Sequence, residues 1–305
     1  MTAAPLTLTH DLTIAASPQS LFDLVADTEG APRYAPTQVH AEVVSRDRKE
    51  DLVRRWVYDG RSIRSWQVRR VLDREALRIV FTHDTDPQSP VSGQRGEWTF
   101  AASGEGATLV TVTHTLEGDD AETLQGLAAN LDRHLPGQLG TYKFVGELGE
   151  NLSRLYLSGS DSVVVPGTVA DVFARLLRPG TWSALDSEPT LASARPLSAD
   201  TDFVGLAPAS GLVAEEGPAE TGYLRVALSD HELAYKRLDL PEDLHAELGR
   251  WSVTPAGPDK AEVTVRQSVT LNMNALASGV DAAREAGTAR LRASLRRVLD
   301  AVVAD

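Results

Sequence analysis

The chain has 305 residues, 42% of them hydrophobic and 24% charged, with no cysteine and a formal net charge of −13. This is the composition of a globular protein long enough for two domains, and it leaves out a disulfide framework and a thiolate zinc site. The acidic balance weighs against general binding to nucleic acid or anionic membrane, both of which need a basic surface. In chain order, Thr7 to Ile14 alternates as a first strand, and Ala16-Ser-Pro-Gln-Ser20 opens a helix carrying Leu21, Phe22, Leu24 and Val25. Alternation predicts further strands near 39–45, 52–59, 62–72, 76–83, 95–101 and 108–116, separated by turn signals such as Tyr58-Asp-Gly60 and Ser103-Gly-Glu-Gly106. A helical period over Leu139, Val145, Leu148, Leu152 and Leu155 closes this half, with Pro136 suited to its first turn. Ser158-Gly-Ser160 then supplies a break.

The same order follows again. Val163 to Val165, Pro166-Gly-Thr168 and the helical series Val169, Val172, Phe173 and Leu176 repeat the opening. Strands are predicted near 190–196, 202–206, 222–228, 232–238, 246–253 and 261–271, and a long helix over Leu276, Val280, Ala283, Gly287, Leu291, Leu295, Val298 and Val302. The last strands expose the duplication: Val110, Val112, His114 and Leu116 alternate in one, and Val263, Val265, Gln267, Val269 and Leu271 in the other. The expected fold is α+β, with tandem domains at 1–158 and 159–305. Each is a curved antiparallel sheet wrapped around a long C-terminal helix, leaving a gap for a ligand.

Several residues could carry chemistry there. Around Arg64-Ser-Trp-Gln-Val-Arg-Arg70, alternation turns Trp66, Val68, Arg70 and Leu72 inward. A guanidinium in that setting needs a carboxylate, carbonyl or water partner, so Arg70 either meets a ligand or pairs internally or at the rim. Trp98 and Phe100 share one strand face, as do Trp251 and Val253; they line a cavity for a flat ligand or pack the core. His114 stands on an apolar face, either as a proton shuttle or as a satisfied buried imidazole, and Gln267 replaces it in the second copy. His10, His40, His83, His134, His231 and His245 show no metal-ligand spacing, and no nucleophile elbow, phosphate loop or dinucleotide fingerprint is present.

The run Ser65-Trp-Gln-Val-Arg-Arg70, with Gly96-Glu-Trp98 and Val112-Thr-His114, resembles the aromatase/cyclases of bacterial type II polyketide synthases. These are helix-grip proteins of the Bet v 1-like, START-related superfamily, and two copies in one chain resemble their di-domain members. The resemblance implies an enzyme that folds a carrier-bound poly-β-ketone, closes a first ring by intramolecular aldol condensation between C7 and C12 of a C9-reduced chain, and dehydrates it. It implies no cofactor and no metal. It gives Arg70 the role of holding a ketone oxygen and His114 that of moving protons. Trp66, Val68, Trp98, Phe100 and Tyr142 would contact the chain, with Thr141 or Tyr142 as hydrogen-bond partner of His114. In the second copy Trp251 and Arg237 take the matching places, with Tyr235-Lys-Arg237 set against the Trp66–Arg70 strand. Expected partners are the acyl carrier protein and other synthase subunits. Arg54, Arg55, Arg61 and Arg64 are a candidate docking cluster for the carrier. The Met-Thr-Ala-Ala-Pro start has no signal-peptide pattern, so the expected address is the cytoplasm.

Overall fold

The computed structural model describes residues 3–84, 91–183, 190–208 and 222–304. The chain divides into two compact units, Met1–Trp56 with Arg64–Leu152, and Val57–Ile63 with Ser153–Asp305. The first sheet contains β1 (Leu6–Ile14), β2 (Gln38–Asp47), β3 (Glu50–Tyr58), β4 (Ile63–Asp73), β5 (Arg78–His83), β6 (Gly93–Ala102) and β7 (Thr108–Glu117), in the order β1-β7-β6-β5-β4-β3-β2. Helix α1 (Pro18–Ala26) follows β1, and α2 (Ala121–Leu148) and α3 (Asn151–Leu155) follow β7.

The second sheet repeats the plan. Its strands are β8 (Tyr156–Pro166), β9 (Thr190–Pro196), β10 (Thr201–Pro208), β11 (Gly222–Ala227), β12 (Glu232–Arg237), β13 (Leu244–Gly257) and β14 (Lys260–Leu271), ordered β8-β14-β13-β12-β11-β10-β9. Helices α4 (Val169–Leu177) and α5 (Pro179–Ser183) follow its first strand, and α6 (Asn274–Ser278) and α7 (Val280–Ala304) close the chain. Local chemistry starts the helices. The Ser17 side chain accepts from the Ser20 amide ahead of Pro18 at α1, and a Thr168–Asp171 capping box opens α4.

Two sequence expectations need correction. Helix α2 begins at Ala121, capped by the Asp120 carboxylate on the Thr123 amide, so Pro136 lies inside it. The apolar series Leu124, Ala128, Leu135, Leu139, Tyr142 and Val145 runs past the proline on one buried face. The ring itself stands on the exposed side, where one missing amide donor is tolerated. Ser158-Gly159-Ser160 is not a break but part of β8, with Gly159 opposite Gln267 of β14. Its glycine has another purpose: a Cβ there would stand 3.1 and 3.2 Å from Leu295 and Leu291 of α7, so the strand lies close under the helix.

In the first unit Leu21, Phe22 and Val25 of α1 and Leu135, Leu139, Tyr142 and Val145 of α2 join Val53, Val68, Ile79, Phe81, Trp98, Phe100, Val110 and Val112 in one core. Gly96 permits this curvature. A Cβ at that position would fall 1.9 Å from the Thr113 carbonyl oxygen and 2.6 Å from the Phe81 ring. Gly96→Ala should therefore destabilise the protein by roughly 2–4 kcal/mol through overpacking. Gly126→Ala, on the open face of α2 with nothing within 4 Å, should stabilise it by up to about 1 kcal/mol. Urea denaturation of both variants checks the contrast.

Candidate functional site

Burial along the inward face of the first sheet runs in a gradient. At one end Asp51, Val53, Val68, Arg70, Ile79 and Phe100 are closed off; two to six residues along the same strands, Arg55, Trp66, His83 and Gln94 are partly exposed. The interior therefore has a floor and an open end, and polar groups stand at both. Pairing fixes the rows: Val68 faces His83, Arg70 faces Phe81, Phe81 faces Gly96, and Gly96 faces His114.

At the floor, Arg70 is 2% exposed. Its Nε and Nη2 donate to the two oxygens of Asp51 at 2.8 and 2.7 Å, and Nη1 and Nη2 donate to the Val25 and Ala26 carbonyls at 3.2 and 3.0 Å. Those carbonyls belong to the last turn of α1, which has no helical donors for them, so the guanidinium caps the negative end of the helix. Asp51 also accepts from Arg46 at 3.2 Å. Arg70 thus has partners that a guanidinium holding a substrate ketone would not need.

The open end gathers Trp66, His83, Gln94, His114 and Arg55. Trp66 and His83 stack with ring centroids 6.2 Å apart, and the Phe81 ring lies 5.0 Å from His114. Across Trp98, 5.5 Å away and edge-on, stands Tyr142 of α2. The Gln94 amide lies 3.3 Å from His114 Nδ1, and an amide nitrogen there donates, which puts the imidazole proton on Nε2. Gln94 is the partner expected of Thr141 or Tyr142; the Thr141 hydroxyl instead donates to its own helix at Gly137. Burial pushes His114 down to about 4, with His10 adding to the effect. Burial, reinforced by His114 and Arg55, pushes His83 down to about 3. Both rings are neutral at neutral pH.

The profile of the family described as polyketide cyclase/dehydrase and lipid transport matches residues 14–134, which include Arg55, Trp66, Arg70, His83, Gln94 and His114. The granaticin polyketide synthase bifunctional cyclase/dehydratase of Streptomyces violaceoruber is 26% identical over 294 residues, covering 94% of this chain and 89% of that protein. Its actinorhodin counterpart in Streptomyces coelicolor is 26% identical over 275 residues, with 86% and 83% covered. Among solved structures, the di-domain ARO/CYC StfQ of the steffimycin pathway superposes with a TM-score of 0.73 at 27% identity, covering 97% of this chain and 98% of its own. BexL of the BE-7585A pathway, another di-domain ARO/CYC, gives 0.77 at 24% identity over the same shares. Over nearly its whole length the chain is similar to di-domain aromatase/cyclases.

The two halves of the chain correspond row by row, which corrects one sequence pairing. Tyr235 faces Arg225 on one side and Gly249 on the other, and Gly249 faces Gln267. The counterpart of Arg70 is therefore Arg225, not Arg237. Arg225 pairs with Asp202 through both carboxylate oxygens and donates to the Leu177 carbonyl at the end of α4, 3.0 Å away. Arg237 occupies the place of His83, tied to the Asp239 carbonyl and carboxylate at 2.6 and 3.0 Å. Glu247 and Gln267, 2.9 Å apart, replace Gln94 and His114.

The second interior is filled. Trp182 lies flat on Trp251, 4.8 Å between centroids and 7° between planes, with Tyr223 and Tyr235 packed at 5.3 and 5.2 Å. All four are at most 1% exposed. The strand places of Trp251, Tyr223 and Tyr235 are held in the first unit by Trp98, Val68 and Phe81, so the two tyrosines give way to Val and Phe. Trp251, expected as a chain contact, is a core residue behind Trp182.

Sequence reasoning passed over Asp51, Gln94, His83 and the inward Arg55. Each was visible in alternation: Asp51-Val53-Arg55, Ile79-Phe81-His83 and Gln94-Gly96-Trp98 put them on apolar faces. Arg55 points inward, so it does not form one surface cluster with Arg54, Arg61 and Arg64. Among the described residues no helix is long and apolar enough to cross a membrane, and no three His, Cys, Asp or Glu are placed to hold a metal ion.

The neutral histidines make stability pH-dependent. With folded values near 4 and 3 against an ordinary 6.5, the unfolded chain binds protons first as pH falls. Stability is then lost from about pH 6.5 downward. His114→Gln should reduce the loss between pH 7 and pH 5 by on the order of 1–2 kcal/mol. Urea titrations at the two pH values measure it.

Proposed function

We propose that the first unit cyclises and dehydrates a poly-β-ketone chain presented on an acyl carrier protein, in concert with other subunits of a type II polyketide synthase. The observation that carries this reading is the open end of the first interior, where a neutral imidazole, flat aromatic rings and cationic donors meet; the names of the relatives point the same way. Trp66 and Trp98 offer faces against which a conjugated chain lies flat. A folded chain brings enol carbon and ketone together, replacing a search among many closures.

In the proposed mechanism, the entering chain displaces the Gln94 amide from Nδ1 of His114, which then takes a proton from a methylene between two ketones, and the enolate carbon attacks the distal ketone carbon to form the new C–C bond. The imidazolium returns the proton to the alkoxide. A second α-proton and the new hydroxyl then leave as water, the C9 hydroxyl leaves with a neighbouring ring proton as a second water, and enolisation of the ketone left in the ring completes the aromatic ring. The negative oxygen in these steps needs a fixed cation near it. We take the ring to join C7 and C12 of a C9-reduced chain. Arg70, deep at the floor and neutralised by Asp51, acts as a positioning residue that ties α1 to β3 and β4.

The second unit, filled by Trp182, Trp251, Tyr223 and Tyr235, serves the first without turning over substrate. We place the domain division near residue 158 and the protein in the cytoplasm with its synthase. In a synthase reconstituted from purified subunits, His114→Ala should lower cyclised product by about 100-fold and release misfolded shunt products. Gln267→Ala should leave the ring pattern unchanged. A ring pattern independent of His114 and of the whole protein would instead identify a passive carrier.

A further inference from the structure

Two guanidiniums enter the first interior, and they differ in one respect that matters. Arg70 is balanced by Asp51 and by two helix carbonyls. Arg55, two positions beyond Val53 on the same face of β3, has no carboxylate within ion-pair distance among the described residues. Its Nε is buried without a hydrogen-bond partner, and Nη2 reaches only Thr28 Oγ1 at 3.5 Å. A guanidinium keeps its charge and offers five donors in a fixed fork, so leaving it unanswered is costly. Burial accordingly lowers the pKa of Arg55.

A residue kept at such a cost for packing alone would be replaced to advantage by a neutral side chain of similar length. Arg55 is also less enclosed than Arg70: the residue as a whole is partly exposed where Arg70 is closed off, although its Nε is buried. Tyr142 and Tyr34 are its nearest phenol neighbours, and Arg55 is close enough to His83 to help hold that ring neutral. The cation and the neutral imidazoles therefore border one space.

We propose that Arg55 is the catalytic cation of the cyclase, holding the oxygen that becomes negative in the enolate and in the alkoxide after ring closure. This rests on the reading of the first unit as an aldol cyclase, and it separates the two arginines: Arg55 touches the reacting oxygen, and Arg70 holds the scaffold. The ligand class is a 1,3-diketone in its enolate form, bound side-on by the guanidinium fork.

The test compares Arg55→Gln, Arg55→Lys and Arg70→Gln in the full chain, by turnover in the reconstituted synthase, by thermal melting, and by absorbance titration of bound dibenzoylmethane, whose enolate absorbs at longer wavelength than its enol. Arg55→Gln should keep or raise Tm while kcat falls by about 100-fold or more. It should also abolish the lowering of the bound diketone's pKa, which we expect to be about 2 units in the unmodified protein. Arg55→Lys should recover part of both. Arg70→Gln should lower Tm instead, because Asp51 is left buried without its main partner. Turnover of Arg55→Gln within threefold of the unmodified protein, an unchanged diketone titration, or melting of both Arg55 variants as low as Arg70→Gln would each overturn the assignment. If the unmodified protein and His114→Ala yield the same products, the cyclase reading fails, and the diketone titration still decides whether Arg55 is the oxyanion site.

Discussion

Each unit is built around a buried arginine that answers two needs with one side chain. The last carbonyls of the first helix in each unit have no helical donors, and an inward carboxylate on the third or tenth strand cannot remain unpaired in an apolar interior. Arg70 joins Val25, Ala26 and Asp51; Arg225 joins Leu177 and Asp202. Removing either partner leaves a charge or a helix end unsatisfied, so the interaction fixes where the helix sits over the sheet. The strand rows, and with them the inward positions, follow from that placement.

On this shared frame the two interiors diverge by substitution at matching rows. Val68, Phe81 and His114 in one unit correspond to Tyr223, Tyr235 and Gln267 in the other. Larger rings close the second interior, and its histidine is exchanged for an amide that cannot titrate. Glycine is retained at the crossing, Gly96 and Gly249, because a Cβ at either would meet the Phe81 or Tyr235 ring at 2.6 or 2.5 Å. The backbone rows match while the side chains on them differ.

Much of this was legible in the sequence because an inward face announces itself by period. The repeat of His114 against Gln267 and of Trp98 against Trp251 survives in the register of β7 and β14 and of β6 and β13. What was not legible depends on pairing between strands. Asp51 lies near the start of β3, and only the fold brings it to Arg70, 19 residues on. Arg225 could not be set against Arg70 from spacing alone, because the loops differ in length, and Tyr235-Lys-Arg237 looked like the better match. Pro136 suits a first turn, but Asp120 and the long buried stripe start α2 at Ala121.

The aromatic filling of the second unit amounts to a ligand carried on the chain itself. Trp182 is tethered by its indole N–H to the Leu176 carbonyl, 2.8 Å away, and lies against Trp251 as a flat guest would. An intramolecular occupant of this kind is present at an effective concentration that free molecules seldom match. The packing of Trp182 thus needs no free ligand, whereas a guest in the first unit would add stability only while bound. Supply of substrate in the cell would then be registered by one half of the protein and ignored by the other.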